Sequence, residues 1–455
     1  MSGNIATAAA GTTDLSLSVT QQLTVIALCA LTAFISHLAL AVFNDGVRPF
    51  MLDFIQGRTT RSATTAVSFG LSAGFIFGLG APMALSTGVL NPWLLFLPTD
   101  ILGLLSPKKW LAPILGAAWG TVVVFGLNGA NSLAHDLPVD FLTAMQQMST
   151  PILFLFTLFP VLAISKQFGK LRGGIAGVIE LVLVVATMKL WPGVFPGAVA
   201  MAVGVLMLIA FAVAKDLRQR RAERAEQAGR AGGPAADASG EDDPMASLFS
   251  ASATRLRKHL PLFMVLGAGV CLLAQMHVFG GGEATSFLIA KGDYSGAAQV
   301  DFYRVFGFVP LIATTALASG AYGIAGFTLV YPIGYLLPNP WLALICGALV
   351  FAVEVLALSW IGRILGRLPS VRDSSEHLRG AISDSLQLAI LFGSLMAANA
   401  MGGGLGILIV GGLYLLNEAM GRVVVRMAAA PAAVLVGGVI LNLLYWLDLF
   451  TPVKG

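Results

Sequence analysis

Windows of apolar residues recur along nearly the whole chain, separated by short polar or basic stretches. A helical crossing of the hydrocarbon core needs about 20 such residues. The first window runs from about Leu23 to Phe43 and ends in Asn44-Asp45-Gly46-Val47-Arg48-Pro49. Further windows start near Ser62 and cover about Leu90–Leu105, Leu111–Leu127, Pro151–Ile164, Gly173–Met188 and Ala198–Ala214. After a charged interval come Leu260–Phe279, an uncharged run of 49 residues from Val305 to Val353, then Ala381–Ala400, Leu405–Met420 and Ala428–Leu447. The pattern predicts an all-α, polytopic transmembrane bundle of about 12–14 segments. It divides the chain into a tail (1–22), a first transmembrane half (23–214), a charged linker (215–259) and a second transmembrane half (260–455).

Charge sets the orientation. The tail to Gln22 has no Lys or Arg, which places it outside and leaves the first helix without the basic start of a cleavable signal. Arg48, Arg58 and Arg61, then Lys108 and Lys109, then Lys166, Lys170 and Arg172 mark cytoplasmic loops. The 215–259 interval carries nine basic and seven acidic residues and is also cytoplasmic, a tether whose Arg218–Arg230 portion continues the preceding helix. One conflict arises. Two simple crossings by the 49-residue run would put Arg363–Arg379 outside, so part of the run is expected to enter and leave by one face, as broken or re-entrant helices.

Composition adds that 57% of 455 residues are hydrophobic and 11% charged, far below the roughly 25% of a soluble protein. The net charge of +4 reflects the basic loops and points to no nucleic acid. Cys29, Cys271 and Cys346 lie in apolar runs without metal-ligand spacing, so neither a disulfide nor a metal site is expected. HExxH, GxSxG, Walker and CxxC signatures are missing, and the chain is read as no enzyme, with no cofactor.

An internal repeat is suggested by Ala63-Thr64-Thr65-Ala66, which recurs 250 residues on as Ala313-Thr314-Thr315-Ala316. Asn91-Pro92-Trp93 recurs 248 residues on as Asn339-Pro340-Trp341. Two repeat-related halves are a transporter architecture, with polar groups gathered where discontinuous helices meet. Asp100 is the strongest candidate within it. It follows a stretch from Ser62 to Thr99 with no charged residue or histidine, and Pro98 just before it is expected to break the helix. Asp100 and Glu354 are therefore read as ion-coupling carboxylates; the bland alternative for Asp100 is an interfacial cap. Thr64, Thr65, Thr99, Thr314 and Thr315, with Asn91 and Asn339 as caps of half-helices, are read as solute-binding, against the plainer reading that the threonines bond to their own helices. Asp45, Arg48, Arg372, Asp373, Asn417, Glu418 and Arg422 are candidate gate or ion-pair residues. Glu418 and Arg422 lie four apart on one helical face. His37 is read as structural.

At Val42-Phe43-Asn44-Asp45-Gly46-Val47-Arg48-Pro49, Leu94-Leu95-Phe96-Leu97-Pro98-Thr99-Asp100-Ile101-Leu102-Gly103 and Gly307-Phe308-Val309-Pro310-Leu311-Ile312-Ala313-Thr314-Thr315-Ala316-Leu317-Ala318 the chain resembles the YhfT family of bacterial inner-membrane proteins. Pro369-Ser370-Val371-Arg372-Asp373 and Leu416-Asn417-Glu418 fit the same family. The resemblance implies a candidate transporter without an agreed substrate. Genes of the family accompany enzymes similar to aminotransferases, racemases and phosphotriesterases, which suggests an amino-acid-like or phosphorylated solute. The expectation is a secondary active transporter of a small anionic or zwitterionic solute, working by alternating access, with an elevator motion open, and driven by H+ or Na+. Its partners would be the solute, the ion and the bilayer, with a homodimer open. A phosphotransferase-type sugar permease and a non-transporting scaffold or receptor are the alternatives.

Overall fold

The structure is a computed structural model that describes residues 17–44, 47–76, 80–135, 137–192, 196–229, 244–302, 316, 321–323, 329–424 and 426–452. In chain order the elements are α1 (Val19–His37), β1 (Ala41–Val42), α2 (Arg48–Ile55), α3 (Arg61–Phe75), α4 (Ala81–Thr87), α5 (Pro92–Leu105), α6 (Leu111–His135), α7 (Phe141–Met145), α8 (Ser149–Phe156), α9 (Phe159–Phe168), α10 (Lys170–Leu190) and α11 (Pro196–Gly229). They continue with α12 (Pro244–Lys258), α13 (Leu260–Gln275), α14 (Glu283–Ala290), β2 (Tyr322–Gly323), α15 (Val330–Leu336), α16 (Pro340–Arg367), α17 (Pro369–Ala419) and α18 (Arg426–Trp446).

Six helices among the described residues are long and apolar enough to cross a membrane, or seven if the pair bent by 70° between 250–258 and 260–275 is one span. That makes a mostly helical, multi-pass membrane protein, with fewer full-length spans than the 12–14 segments predicted. The shortfall has a physical cause. Several apolar windows are held in helices too short to span: α5 has 14 residues and α9 has 10, where roughly 20 are needed. The window from 380 to 419 is one hydropathic stretch but two helices. It folds back at Gly402 and Gly403, whose φ of 55° is open to glycine. A Cβ on Gly406 would overlap the Ala398 carbonyl oxygen, so the two arms lie against each other.

The core runs through α1, α5, α13 and α16, while a second cluster joins α7, α17 and α18. Around them, α10, α16 and α18 turn rows of large apolar side chains outward, as helices facing lipid do. As expected, α11 carries the seventh window into the Arg-rich segment as far as Gly229. The linker also ends in more than a tether. Along α12, Ala253 and Leu256 are buried, and the helix packs on α16. Residues 230–243 of the linker lie outside the described residues, as do 20 of the 49 residues of the uncharged run on which the re-entrant expectation rested, 305–315, 317–320 and 324–328.

Two breaks meet in the centre. Helix α1 begins on a capping box, Ser18 with Gln21, and ends at Ala39, which adopts φ 54°. There the Ala39 N–H donates to the Ser36 carbonyl and the Leu40 N–H to that of Ile35. The chain then runs extended as β1, which pairs in parallel with β2, Ala41 opposite Tyr322. Helix α13 ends the same way. His277 has φ 58°, and the N–H groups of His277 and Val278 return to Ala274 and Leu273. Extended residues follow, and Phe279 bridges Leu90 in parallel.

Candidate functional site

Asp100 lies at the first of these breaks and is fully buried. Its helix, α5, starts at Asn91, whose side chain accepts from the Leu94 N–H, with Pro92 in the first turn. Contrary to expectation, Pro98 does not break α5; the helix runs through it to Leu105. Proline withholds the N–H that would bond the Leu94 carbonyl. The indole N–H of Trp119 on α6 donates to that oxygen instead, at 2.9 Å. The break is upstream, at 38–44, and Asp100 serves it. One carboxylate oxygen accepts from the Ser36 hydroxyl at 2.6 Å; the other accepts from the backbone N–H groups of Phe43 (2.5 Å) and Asn44 (3.1 Å). A carboxylate taking backbone N–H groups in a water-poor site is a strong, charge-assisted arrangement.

The Asn44 side chain donates to Ser72 on α3. Thr64, Ser68 and Ser72 stand four apart on that helix and all are buried, and the Ser68 hydroxyl has no hydrogen-bond partner. Ser36, Asn44, Ser68 and Ser72 were not among the expected site residues. The spacing of hydroxyls at 64, 68 and 72 was the signal available for two of these positions, Ser68 and Ser72.

The second break has its own polar group. The Gly281 N–H donates to the Tyr335 hydroxyl at 2.8 Å, and that hydroxyl donates to Asp301 at 2.9 Å. Asp301 is fully buried. Between the breaks runs a ladder of rings, Phe43 to Phe96 at 5.0 Å, Phe96 to Phe279 at 5.5 Å and Phe279 to Tyr331 at 5.7 Å. Glu354 on α16 is buried and accepts from the Tyr322 hydroxyl of β2, while its other oxygen has no partner.

The remaining expected residues divide. Thr64 and Thr65 donate to the carbonyls of Thr60 and Arg61, and Thr99 to that of Phe96, which is the plainer reading of each. Asn91 caps α5 and also donates to the Gly80 carbonyl at 2.8 Å. Asn339 is exposed and accepts from the Trp341 N–H. Glu418 pairs with Arg422 at 3.0 Å and Arg426 at 2.9 Å in an exposed cluster, and Asn417 closes the turn to Val424. That cluster is a solvent-exposed clasp at the C-terminal end of α17. Asp373 is exposed. Asp45, Thr314, Thr315 and the side chains of Arg48 and Arg372 lie outside the described residues. His37 is buried, with its Nδ1 3.1 Å from both the Gly103 carbonyl and Arg61. Among the described residues no group of three or more His, Cys, Asp or Glu could hold a metal ion.

A family model described as YhfT, protein of unknown function, matches residues 21–450. A protein of Escherichia coli (strain K12), described as uncharacterized protein YhfT, is 40% identical over 444 residues, which cover 95% of this chain and 99% of that protein. No solved structure matches.

Proposed function

The chain belongs to the YhfT family, and from that premise we propose that it is a secondary active transporter of the bacterial inner membrane. The cargo is a small anionic or zwitterionic solute, moved by alternating access with H+ or Na+ as the driving ion. No enzymatic reaction is assigned to it. The observation that carries this reading is a buried carboxylate, Asp100, at one of two interrupted spans whose breaks are joined by a ladder of rings. Interrupted helices leave backbone groups and carboxylates inside the bilayer, where cargo and ions reach them. Asp100 is the coupling carboxylate of this proposal. The buried stripe of Thr64, Ser68 and Ser72 supplies hydroxyls beside it.

Alternating access is supported by a correspondence between the halves. Seven of the eight buried positions of α1, Val25, Leu28, Cys29, Thr32, Ala33, Ile35 and Ser36, recur 238 residues on as Phe263, Leu266, Gly267, Val270, Cys271, Leu273 and Ala274 of α13, while His37 falls opposite the half-buried Gln275. The left-handed residues Ala39 and His277 keep the same offset. Gly103 and Gly116 press on Ala33 and Cys29; 231 residues on, Gly334 and Gly347 press on Cys271 and Gly267. From Gly103 to Ala117, nine of fifteen residues reappear at that offset, including Pro107, Trp110, Leu111 and Ala112 as Pro338, Trp341, Leu342 and Ala343. This register is not the one suggested by Asn91-Pro92-Trp93: it sets Trp341 against Trp110 and Asn339 against Lys108. We infer two inverted halves, because α1 starts from the outside tail and α13 from the cytoplasmic linker.

The test is uptake by the full chain in proteoliposomes, offering labelled amino acids and small phosphorylated solutes against H+ or Na+ gradients. Accumulation that follows one gradient is expected. Asp100→Asn should abolish it while leaving folding intact, since the amide oxygen can still face Phe43 and Asn44 and the amide nitrogen can donate to Ser36. Flat uptake under every gradient would reject transport in favour of a scaffold or receptor. Unchanged coupling in Asp100→Asn would remove Asp100 from the mechanism.

A further inference from the structure

Away from the central breaks, α10 carries one acidic residue on an otherwise lipid-like helix. Its outer face is apolar and open: Val178, Leu181, Val182 and Val185 are all more than half exposed. Its inner face, against α9 and α11, is built of Gly173, Ala176, Glu180 and Thr187. Glu180 is 1% exposed, and neither carboxyl oxygen has a hydrogen-bond partner. The space it fills is cut for it. Gly204 of α11 stands where a Cβ would overlap Oε1 and also press on Pro160 of α9.

An ionised carboxylate in such a place is costly, because it loses water and gains no donor. Three ways out exist: a cationic partner, a bound metal ion, or a proton. Among the described residues no charged side chain bonds it. On α9, Lys166 lies roughly 9 Å along the helix from Pro160 and is engaged by Asp384. On α10 itself, Lys170, Arg172 and Lys189 are roughly 12–15 Å away by helical rise. On α11, Lys215 and Asp216 are roughly 17 Å from Gly204, and Asp216 accepts from the Ser370 N–H. A sodium or calcium ion would want about six oxygens, and the niche formed by Pro160 and Gly204 offers none beyond the carboxyl's own.

We propose that Glu180 is a proton-binding site within the bilayer, a neutral carboxyl while α9, α10 and α11 pack as they do here, exchanging its proton when those helices part. The site is separate from Asp100, and its proton occupancy can be read whether or not a transported solute is found. The probe is dicyclohexylcarbodiimide, an apolar reagent for protonated carboxyls in membranes. The acid O–H adds across one C=N bond: the carboxyl oxygen bonds the central carbon and the proton goes to nitrogen. The acyl group then shifts to nitrogen as a stable N-acylurea, and nothing leaves. In the full chain in liposomes near neutral pH, mass spectrometry should find the adduct on Glu180, and Glu180→Gln should lose it. The infrared difference between wild type and Glu180→Gln should show a neutral carboxylic C=O stretch. No adduct on Glu180, a carboxylate band in its place, or protection of Glu180 by sodium at constant pH would each overturn the proposal. These readouts on the wild type stand even if the Gln variant folds poorly.

Discussion

After α1, the freed N–H groups of Phe43 and Asn44 meet the Asp100 carboxylate directly, whereas after α13 the Gly281 N–H meets the Tyr335 hydroxyl, which hands the bond on to Asp301. The local backbone is the same in both places, down to the left-handed residue that ends each helix. The chemistry placed against it is not. A break inside a bilayer leaves donors that water cannot reach, so some group must accept from them. At the first break that group is charged and touches the backbone itself; at the second a neutral phenol stands between. If Asp100 is the coupling carboxylate as proposed, an ion that neutralises it would act on the β1 turn directly. At the second break the N–H of Gly281 reaches its carboxylate through the phenol. Under that proposal the first crossing responds to the ion and the second does not.

The widest separation between them should appear in stability. Asp100→Ala takes the acceptor from three buried donors, and its loss should cost on the order of 3–5 kcal/mol. Tyr335→Phe removes one link of a relay and should cost about 1–3 kcal/mol. Thermal unfolding of the detergent-solubilised chain measures both, and equal costs would erase the distinction between the crossings. Where the halves are alike, their variants should agree. Gly116→Ala and Gly347→Ala each drive a methyl into a carbonyl oxygen of the helix opposite. Both should lose about 1–3 kcal/mol, with nearly equal shifts. A large loss at one and none at the other would break the proposed register.

Much of this was legible in the chain. Asp100 stands out because no charge precedes it for a whole window, and its burial follows from that setting. Its partners were not legible: Ser36, Phe43 and Asn44 are more than fifty residues upstream, and nothing local ties them to it. The breaks hide for a related reason. Leu38-Ala39-Leu40-Ala41-Val42 and Met276-His277-Val278-Phe279 contain neither proline nor glycine, so an apolar run that is extended reads like one that is helical. Pro98 misleads in the opposite direction, since a tryptophan from the next helix repairs its missing bond. The correspondence we propose between the halves has its plainest trace in the chain as Leu-x-Pro-x-x-Trp-Leu-Ala at 105–112 and 336–343. Asn-Pro-Trp, shorter and more conspicuous, pointed to another register.

The repair at Pro98 gives the finest contrast between the halves. At the 231-residue offset, Pro98 and Trp119 fall opposite Leu329 and Val350, so the half that lacks the proline also lacks the indole. If the tryptophan is there for the proline, its value depends on it. Trp119→Phe keeps a ring on α6 but leaves the Leu94 carbonyl without this donor, and should cost about 1 kcal/mol. Pro98→Ala restores an N–H within α5 that can take the same oxygen. In that background Trp119→Phe should cost less, by most of the hydrogen-bond contribution, with packing losses common to both arms cancelling in the cycle. Unfolding of the four proteins under one condition provides the measurement. If Trp119→Phe costs the same with and without Pro98, the indole is only filling space, and α5 tolerates its proline by some other means.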